Sequence, residues 1–497
     1  MSIMIAGTTS SSGKSVIVAA LCRLLSKRGY RVAPFKAQNM SLNSFITKDG
    51  HEIAFAQAYQ AFSAGIDPDV RMNPILLKPK GNLRSQLVVL GKPVKDVSAL
   101  EYYREIPWLR GIVEECYRSL SEEFDIVVIE GAGGIAEINL YDRDLANIGI
   151  ARIAKPSIYI VTDIDRGGAF ASLYGSYALL PEDVRKLVRG FIINKMRGYE
   201  GLLEDGIKKI EKLTGVKFLG IIPFFDGDLP SEDSLCIEHW TDTGSLGIIR
   251  LPRISNFTDF EPIRELVRFV NLKDDLNDID VVILPGTKET IRDLKDLKRW
   301  EMDKKIKKFA KEKPVIGICG GFQMLGKEIH DCGIEFGVTK VKGLGLIDAI
   351  TKFEEFKKIT RQVKKRVTEE VAIIEKLKGD WVSGYEIHMG RTHGGRPWLE
   401  ISERSGEPVS VRDGAVSSDG RVWGCYLHGL FQNEPSYLTH SRYLPGSAGV
   451  HLSLNQPPLP VGWVSTTLPS TTRCTGSPST GSHHQVSGLL NSRTPVT

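Results

Sequence analysis

The chain opens with IMIAGTTSSSGKSVIVAAL at residues 3–21, and few segments restrict a fold so tightly. SIMIA is a short Ile-rich apolar run, which reads as a buried strand. KSVIVAALCRLLSKRG carries apolar residues at helical spacing, with Gly29 as its stop. The glycine-rich turn between them aims several backbone N–H groups at one point. That point lies at the positive end of the helix dipole, which suits a phosphate. The usual loop, G-x-x-x-x-G-K-[ST], has four residues between its glycines. Here five residues separate Gly7 from Gly13, yet the loop still closes on Gly13-Lys14-Ser15. Gly7, Thr8, Gly13, Lys14 and Ser15 are therefore expected to bind ATP. Lys14 would reach the outer phosphates, and the Ser15 hydroxyl would bind Mg²⁺.

The rest of the first half fits that start. YRVAPF, FDIVVIEGAGG, PSIYIVTD, GFIINKM and FLGIIPF are β-rich and apolar, and stretches such as LLEDGIKKIEKLTG between them have helical periodicity. Residues 1–235 thus read as a doubly wound α/β domain with a mostly parallel sheet, its ligands at the carboxyl ends of the strands. A second α/β pattern, residues 246–434, has LGIIRL, DVVILPGT, PVIGICGG and WGCYLHGLF as its strand-like landmarks, and LPSEDSLCIEHWTDTG before it reads as a linker. After Glu434 there is no Asp, Glu or Lys, and residues 435–497 are dominated by Ser, Thr, Pro and Gly. Such a tail is expected to be disordered, either a foreign C-terminus such as a frameshift produces or a genuine low-complexity extension.

Composition sets the outer bounds. A chain of 497 residues with 41% hydrophobic and 25% charged residues is large enough for two or three soluble globular domains. The net charge of +5 is small for that length. EEFKKITRQVKKRVTEE, at 354–370, mixes both signs and reads as a solvated helix face, not a nucleic-acid patch. No apolar run is long enough to span a bilayer, and no signal peptide precedes the phosphate loop. The seven cysteines are scattered without short paired spacings, which argues against zinc sites and disulfides and for a reducing cytoplasm.

VIGICGGFQMLG places Cys319 directly after an apolar strand and before glycines and a helix. A thiol on such a turn is exposed at the sheet edge, and the N–H groups of the helix start favour thiolate and oxyanion. A buried structural cysteine is the plainer alternative. The base should be a histidine in the same half. His428 in WGCYLHGLF ends another strand-like run, and His388 and His393 in YEIHMGRTH are its rivals.

These motifs carry resemblances. TTSSSG resembles the phosphate loop of dethiobiotin-synthetase-like ATPases, which activate carboxylates as acyl phosphates or mixed anhydrides. GICGGFQMLG with YLHGLF resembles the flavodoxin-like glutaminase domain of class I glutamine amidotransferases. VVILPGTKETIRDL resembles the loop there that helps form the oxyanion hole, which implies Gly286 and Gly320 as its donors. Most class I members carry a glutamate two residues after the histidine, where this chain has Leu430. The cobalamin-pathway branch shares that loss, and the resemblance implies a Cys–His pair. Within the branch, FKAQNMSLNSF, MNPILLKPKGNLRSQLVVLGKP, VVIEGAGGIAEINL, TDIDRGGAFASLYG, GFIINKMRG and LPRISNFTDF resemble the cobyric acid synthase family over residues 1–434.

That resemblance implies ATP- and glutamine-dependent amidation of the b, d, e and g carboxylates of adenosylcobyrinic acid a,c-diamide. ATP and Mg²⁺ are the implied cofactors, and the corrinoid and glutamine the small-molecule substrates. Neither nucleic acid nor membrane is an implied partner, and a homo-oligomer is compatible with it. Glu130, ending a strand beside the phosphate loop, is expected to bind Mg²⁺ unless it only caps a turn. Asp163, Asp165 and Arg166 would touch metal or substrate, or form a turn. Asp144 is a candidate near the corrinoid carboxylates, and Gln38, Asn39 and Asn43 suit a substrate bearing amides and carboxylates. The nearer alternative is cobyrinic acid a,c-diamide synthase. The alternative from another class is a ParA/MinD-like switch ATPase, which predicts no second domain with a strand-mounted cysteine and histidine.

Overall fold

The computed structural model describes residues 1–80, 83–224 and 244–433. Most of the segment read as a linker and the whole tail 435–497 lie outside the described residues. The first half is built on a six-stranded parallel sheet. Its order is Phe218–Pro223, Val188–Met196, Ser157–Asp163, Ser2–Gly7, Ile126–Glu130, Val32–Phe35. The first strand sits inside the sheet between Ser157–Asp163 and Ile126–Glu130, so the loop after it opens among neighbouring strand ends. The helix Lys14–Lys27 follows at once, packing Ile17, Val18 and Cys22 against the sheet.

The second half repeats the plan. Val267–Val270, Leu246–Ile249, Val281–Leu284, Val315–Ile318 and Val422–Cys425 run parallel, and Ala415–Val416 closes the edge antiparallel. Smaller sheets flank both. One belongs to the first half and has the order Gln38–Met40, Ile75–Lys80, Arg84–Val89, Lys92–Ser98. Another, in the second half, carries the strand Trp381–His388 beside Ile359–Val367. Tyr385 and Ile387 of that strand pack into the apolar core of the first half, so the two halves share buried surface.

One expectation fails here. The charged run at 354–370 is not a helix face; it contains the strand Ile359–Val367. Val363, Lys365 and Val367 point inward with a period of two. The period was hidden because one inward position is Lys365, which is fully buried. Its ammonium is paired with Glu386 at 2.9 Å and Asp413 at 2.5 Å, so the charge is matched inside the sheet.

Candidate active sites

The phosphate loop is tightly folded. A Cβ at Gly7 would lie 2.5 Å from Ser12 Oγ and 2.8 Å from Lys14 Nζ, and Gly13 has φ +92°, so both positions favour glycine. Lys14 is buried and donates to the carbonyls of Thr9 and Gly133, each at 3.0 Å. Ser15 Oγ donates to Glu130 Oε1 at 2.8 Å. Glu130 ends its strand fully buried, is ion-paired with Lys36 at 2.7 Å, and accepts from Gln60. Thr8 bonds Thr162 on the neighbouring strand at 3.1 Å. The expected ATP residues and Glu130 thus come together at adjacent strand ends.

The TDIDRGG residues divide. Asp163 is buried, pairs with Lys195 at 2.8 Å, and accepts from the Asp165 N–H at 2.9 Å. Lys195 also donates to Ser11 O at 2.9 Å, which joins Asp163 to the phosphate loop. Asp165 and Arg166 are exposed, and Asp165 pairs with Arg197 at 3.2 Å.

Beside this loop lies a cleft of about 540 Å³, lined among others by Thr9, Gly133, Gln38, Tyr102, Arg143 and Asp144. Tyr102 donates its hydroxyl hydrogen bond to Gln38. Asp144 accepts from the N–H groups of Ala146 and Asn147 at 2.8 Å, while burial raises its carboxyl pKa. Asn39 and Asn43 do not line the cleft: Asn39 is buried against Gln57 at 2.8 Å, and Asn43 is buried behind it.

The second site is built around Cys319. The residue follows the strand Val315–Ile318 with φ +51° and ψ −107°, a strained turn that starts the helix Gly320–Leu325. The flanking glycines have a steric reason. A Cβ at Gly321 would lie 1.9 Å from Leu284 O, and one at Gly320 would lie 2.6 Å from the Thr287 methyl. The loop around Gly286 and Thr287 therefore presses on Gly320, and a Cβ at Gly286 would be 3.2 Å from His428 Cε1.

His428 is buried and tied through Nδ1 to Asp259 Oδ2 at 2.7 Å, while Asp259 Oδ1 accepts from the Gly429 N–H at 2.9 Å. Burial lowers the basicity of the imidazole, but Asp259 first and Cys319 second outweigh it and lift the pKa to about 10. Among the described residues Nε2 has no hydrogen-bond partner. A carboxylate thus stands behind the histidine of the expected Cys–His pair, while the Cys319 thiol donates to Ile387 O at 3.6 Å. The acid comes 169 residues before the histidine, from the turn that follows Asn256, and not two residues after it. Its only signal was a lone carboxylate among aromatics in ISNFTDF.

The rivals are placed elsewhere. His388 lines the same pocket, but its Nδ1 is bonded to Gly390 O at 2.7 Å, its ring is stacked on Tyr426, and burial lowers its pKa. His393 is exposed on the strand Arg391–Gly394. Tyr385, which sequence reasoning missed, stacks on His428 with ring centroids 5.3 Å apart. Its hydroxyl donates to Ser44 O of the first half at 2.9 Å and accepts from Asn256 at 3.2 Å. The thiol pocket of about 70 Å³ is lined from both halves, by Lys78, Lys80 and Gln86 of the first and Lys288, Glu335 and Gln323 of the second, and Lys288 Nζ donates to Gln86 Oε1 at 2.7 Å. Burial pushes the Glu335 carboxyl up to about 8 and, against the pull of Glu52, Lys78 down to about 8.

Residues 3–234 match the family described as CobQ/CobB/MinD/ParA nucleotide binding domain, and residues 245–436 the CobB/CobQ-like glutamine amidotransferase domain. A probable cobyric acid synthase of Archaeoglobus fulgidus is 58% identical over 434 residues, 87% of this chain and 91% of that one. Proteins of the same name from Methanosarcina mazei and Methanosarcina acetivorans are 51% and 50% identical, each over 90% of this chain and 92% of theirs. The switch-ATPase alternative accounts for the first match and not for the second. With both matches in one chain and that similarity running through them, the chain belongs to the cobyric acid synthase family, ATP-dependent glutamine amidotransferases of cobalamin biosynthesis.

Proposed function

We propose that this chain amidates the b, d, e and g carboxylates of adenosylcobyrinic acid a,c-diamide, with Cys319 releasing ammonia from glutamine and the phosphate-loop site activating each carboxylate. The observation that supports the reading is the pairing, in one chain, of a buried cysteine and an aspartate-bonded histidine beside one pocket with a phosphate loop that opens beside a cleft of about 540 Å³.

At the thiol site, Asp259 holds the Nδ1 proton and so orients the ring with Nε2 free. An imidazolium beside a cysteine favours the thiolate nucleophile. Sulfur attacks the glutamine carboxamide carbon, the oxyanion is met by the backbone at Gly286 and Gly320, and His428 gives its proton to the departing nitrogen. Ammonia leaves and a γ-glutamyl thioester remains. Water, deprotonated by His428, then releases glutamate and restores the thiol site.

At the other site ATP supplies the phosphoryl group that turns a carboxylate into an acyl phosphate. Lys14 and the loop N–H groups hold the phosphates. Ser15 and Glu130, already in contact at 2.8 Å, would hold Mg²⁺, which would supply charge to offset the phosphates. Among the described residues no three acidic, histidine or cysteine side chains form a metal cluster, and a small hard cation bound through few protein groups and phosphate oxygens suits that. Gln38 and Asp144 face the corrinoid. Asp163, through Lys195, supports the loop. The reading places the reaction in the cytoplasm and is compatible with a homo-oligomer.

Incubation with the a,c-diamide, glutamine and ATP·Mg²⁺ tests it by mass spectrometry of the corrinoid. Successive amidations up to four are expected; a corrinoid returned unchanged overturns it, and a parallel incubation with unamidated cobyrinic acid that alone gives product, at its a and c positions, overturns it too.

A further inference from the structure

The loop that carries Gly286 and Thr287 follows the strand Val281–Leu284 and leads into the helix Thr290–Arg299. Backbone that meets a developing oxyanion must be held still, since a displacement of about 1 Å can cost about 100-fold in rate. On one side the loop rests on the thiol turn: a Cβ at Gly320 would lie 3.0 Å from Thr287 N. On the other side it is held by the segment that begins at Arg253.

That hold starts with backbone. The Ser255 N–H donates to Gly286 O at 2.9 Å, and the Lys288 N–H donates to Arg253 O at 2.9 Å. It continues through a side chain. Glu289, Asp293 and Asp296 recur at helical spacing, so three carboxylates share one helix face, where like charges repel. Arg253 answers them from outside the helix. Its Nε pairs with Glu289 Oε2 at 3.0 Å, and one terminal nitrogen pairs with Asp296 at 2.9 Å and with Asp293. Asp293 is fully buried, and its other oxygen accepts from the Thr287 hydroxyl. The planar fork of one guanidinium therefore fastens the loop at Glu289 and, through Asp293, at Thr287. Neither Arg253 nor these three carboxylates line the thiol pocket. Six residues further on, the same segment supplies Asp259, which holds His428.

We infer that Arg253 is a positioning residue for glutamine hydrolysis: through Glu289 and the Asp293–Thr287 bond it fixes the backbone at Gly286 and Thr287 where the oxyanion forms, without touching glutamine. The inference rests on the amidation reading above, with its oxyanion at Gly286 and Gly320.

The test measures glutamate release by the whole enzyme, with ATP·Mg²⁺ and the a,c-diamide present, in Arg253→Met and Arg253→Lys. Oxyanion charge exists only on the way through the transition state, so a misplaced loop lowers kcat and leaves KM near the wild-type value. Arg253→Met should lose about 100-fold in kcat. Arg253→Lys keeps the cation without the fork and should lose less. Alkylation of Cys319 by iodoacetamide, followed by mass spectrometry of its peptide, separates this from general damage. Displacement of iodide by sulfur builds no oxyanion, so both variants should be alkylated at the wild-type rate. Ammonium-supported amidation should also be unchanged. A wild-type kcat in Arg253→Met overturns the inference. So does alkylation that slows in step with kcat, which would show that the arginine supports the thiol site as a whole. If Arg253→Met does not fold, Arg253→Lys decides alone, and a wild-type kcat there overturns the inference. If the wild type itself releases no glutamate, the reaction reading falls and the inference falls with it.

Discussion

The two centres are assembled in opposite ways. The phosphate site is built on one piece of chain: Gly7 to Ser15 is contiguous, and Glu130 with its Lys36 partner, Thr162 and Lys195 brace it from neighbouring elements. The thiol site is a mosaic. Cys319, His428 and Asp259 come from three separate strand ends or turns, Tyr385 from a flanking sheet, and Lys78 and Gln86 from the other half of the chain. A local site depends on backbone geometry, which a few residues impose. A mosaic depends on register and packing, so distant substitutions reach it.

The largest expected effect separates the sites outright. Lys14→Ala should lower amidation by about 1,000-fold with either glutamine or ammonium, because a charge on the transferring phosphoryl group is lost. Cys319→Ala should abolish only the glutamine-supported reaction. Parallel assays with the two nitrogen sources check this, and a Lys14→Ala enzyme still active on ammonium would mean the loop does not serve catalysis.

Next comes the distant acid. Asp259→Asn should cut glutamine hydrolysis by about 100-fold or more, since the ring loses its orienting carboxylate. His393→Ala should leave hydrolysis unchanged. The same variant has a pH signature. The folded-state pKa of His428, about 10, stands above the ordinary 6.5. The protonated ring thus stabilises the fold fully below about pH 6.5, and that contribution drains away as pH rises toward 10. Melting temperatures of Asp259→Asn should decline less steeply than wild type across that window. Equal slopes would mean the aspartate does not set the imidazole pKa.

The smallest effect probes the seam between the halves. Tyr385→Phe keeps the ring on His428 and removes the hydroxyl that bonds Ser44 O and Asn256. A loss of about 1 kcal/mol in stability is expected, read from denaturant midpoints. An unchanged midpoint would show that the apolar contact alone joins the halves there.

Legibility followed the same division. The strand, loop and helix of the phosphate site were plain in residues 2–29 because steric and dipolar rules act between near neighbours. Cys319 was plain for the same reason: Gly320 and Gly321 mark a turn that crowds against Thr287 and Leu284. His428 was recognisable by its strand end but not separable there from His388 and His393. The strand Ile359–Val367 was misread because Lys365 breaks its apolar alternation, and the Glu386 and Asp413 that neutralise it lie on other strands.

By itself, then, the sequence determined two parallel α/β sheets, a phosphate loop and a strand-mounted thiol, all consequences of short-range periodicity and glycine geometry. Only the tertiary structure decided which carboxylate stands behind His428, that Asn39 and Asn43 lie behind the cleft instead of on it, and that one sheet of the first half helps line the thiol pocket of the second. Those outcomes depend on which strand ends are neighbours and on which side each alternate residue faces. Hydrogen bonds across 169 residues, as between Asp259 and His428, leave no local pattern to read.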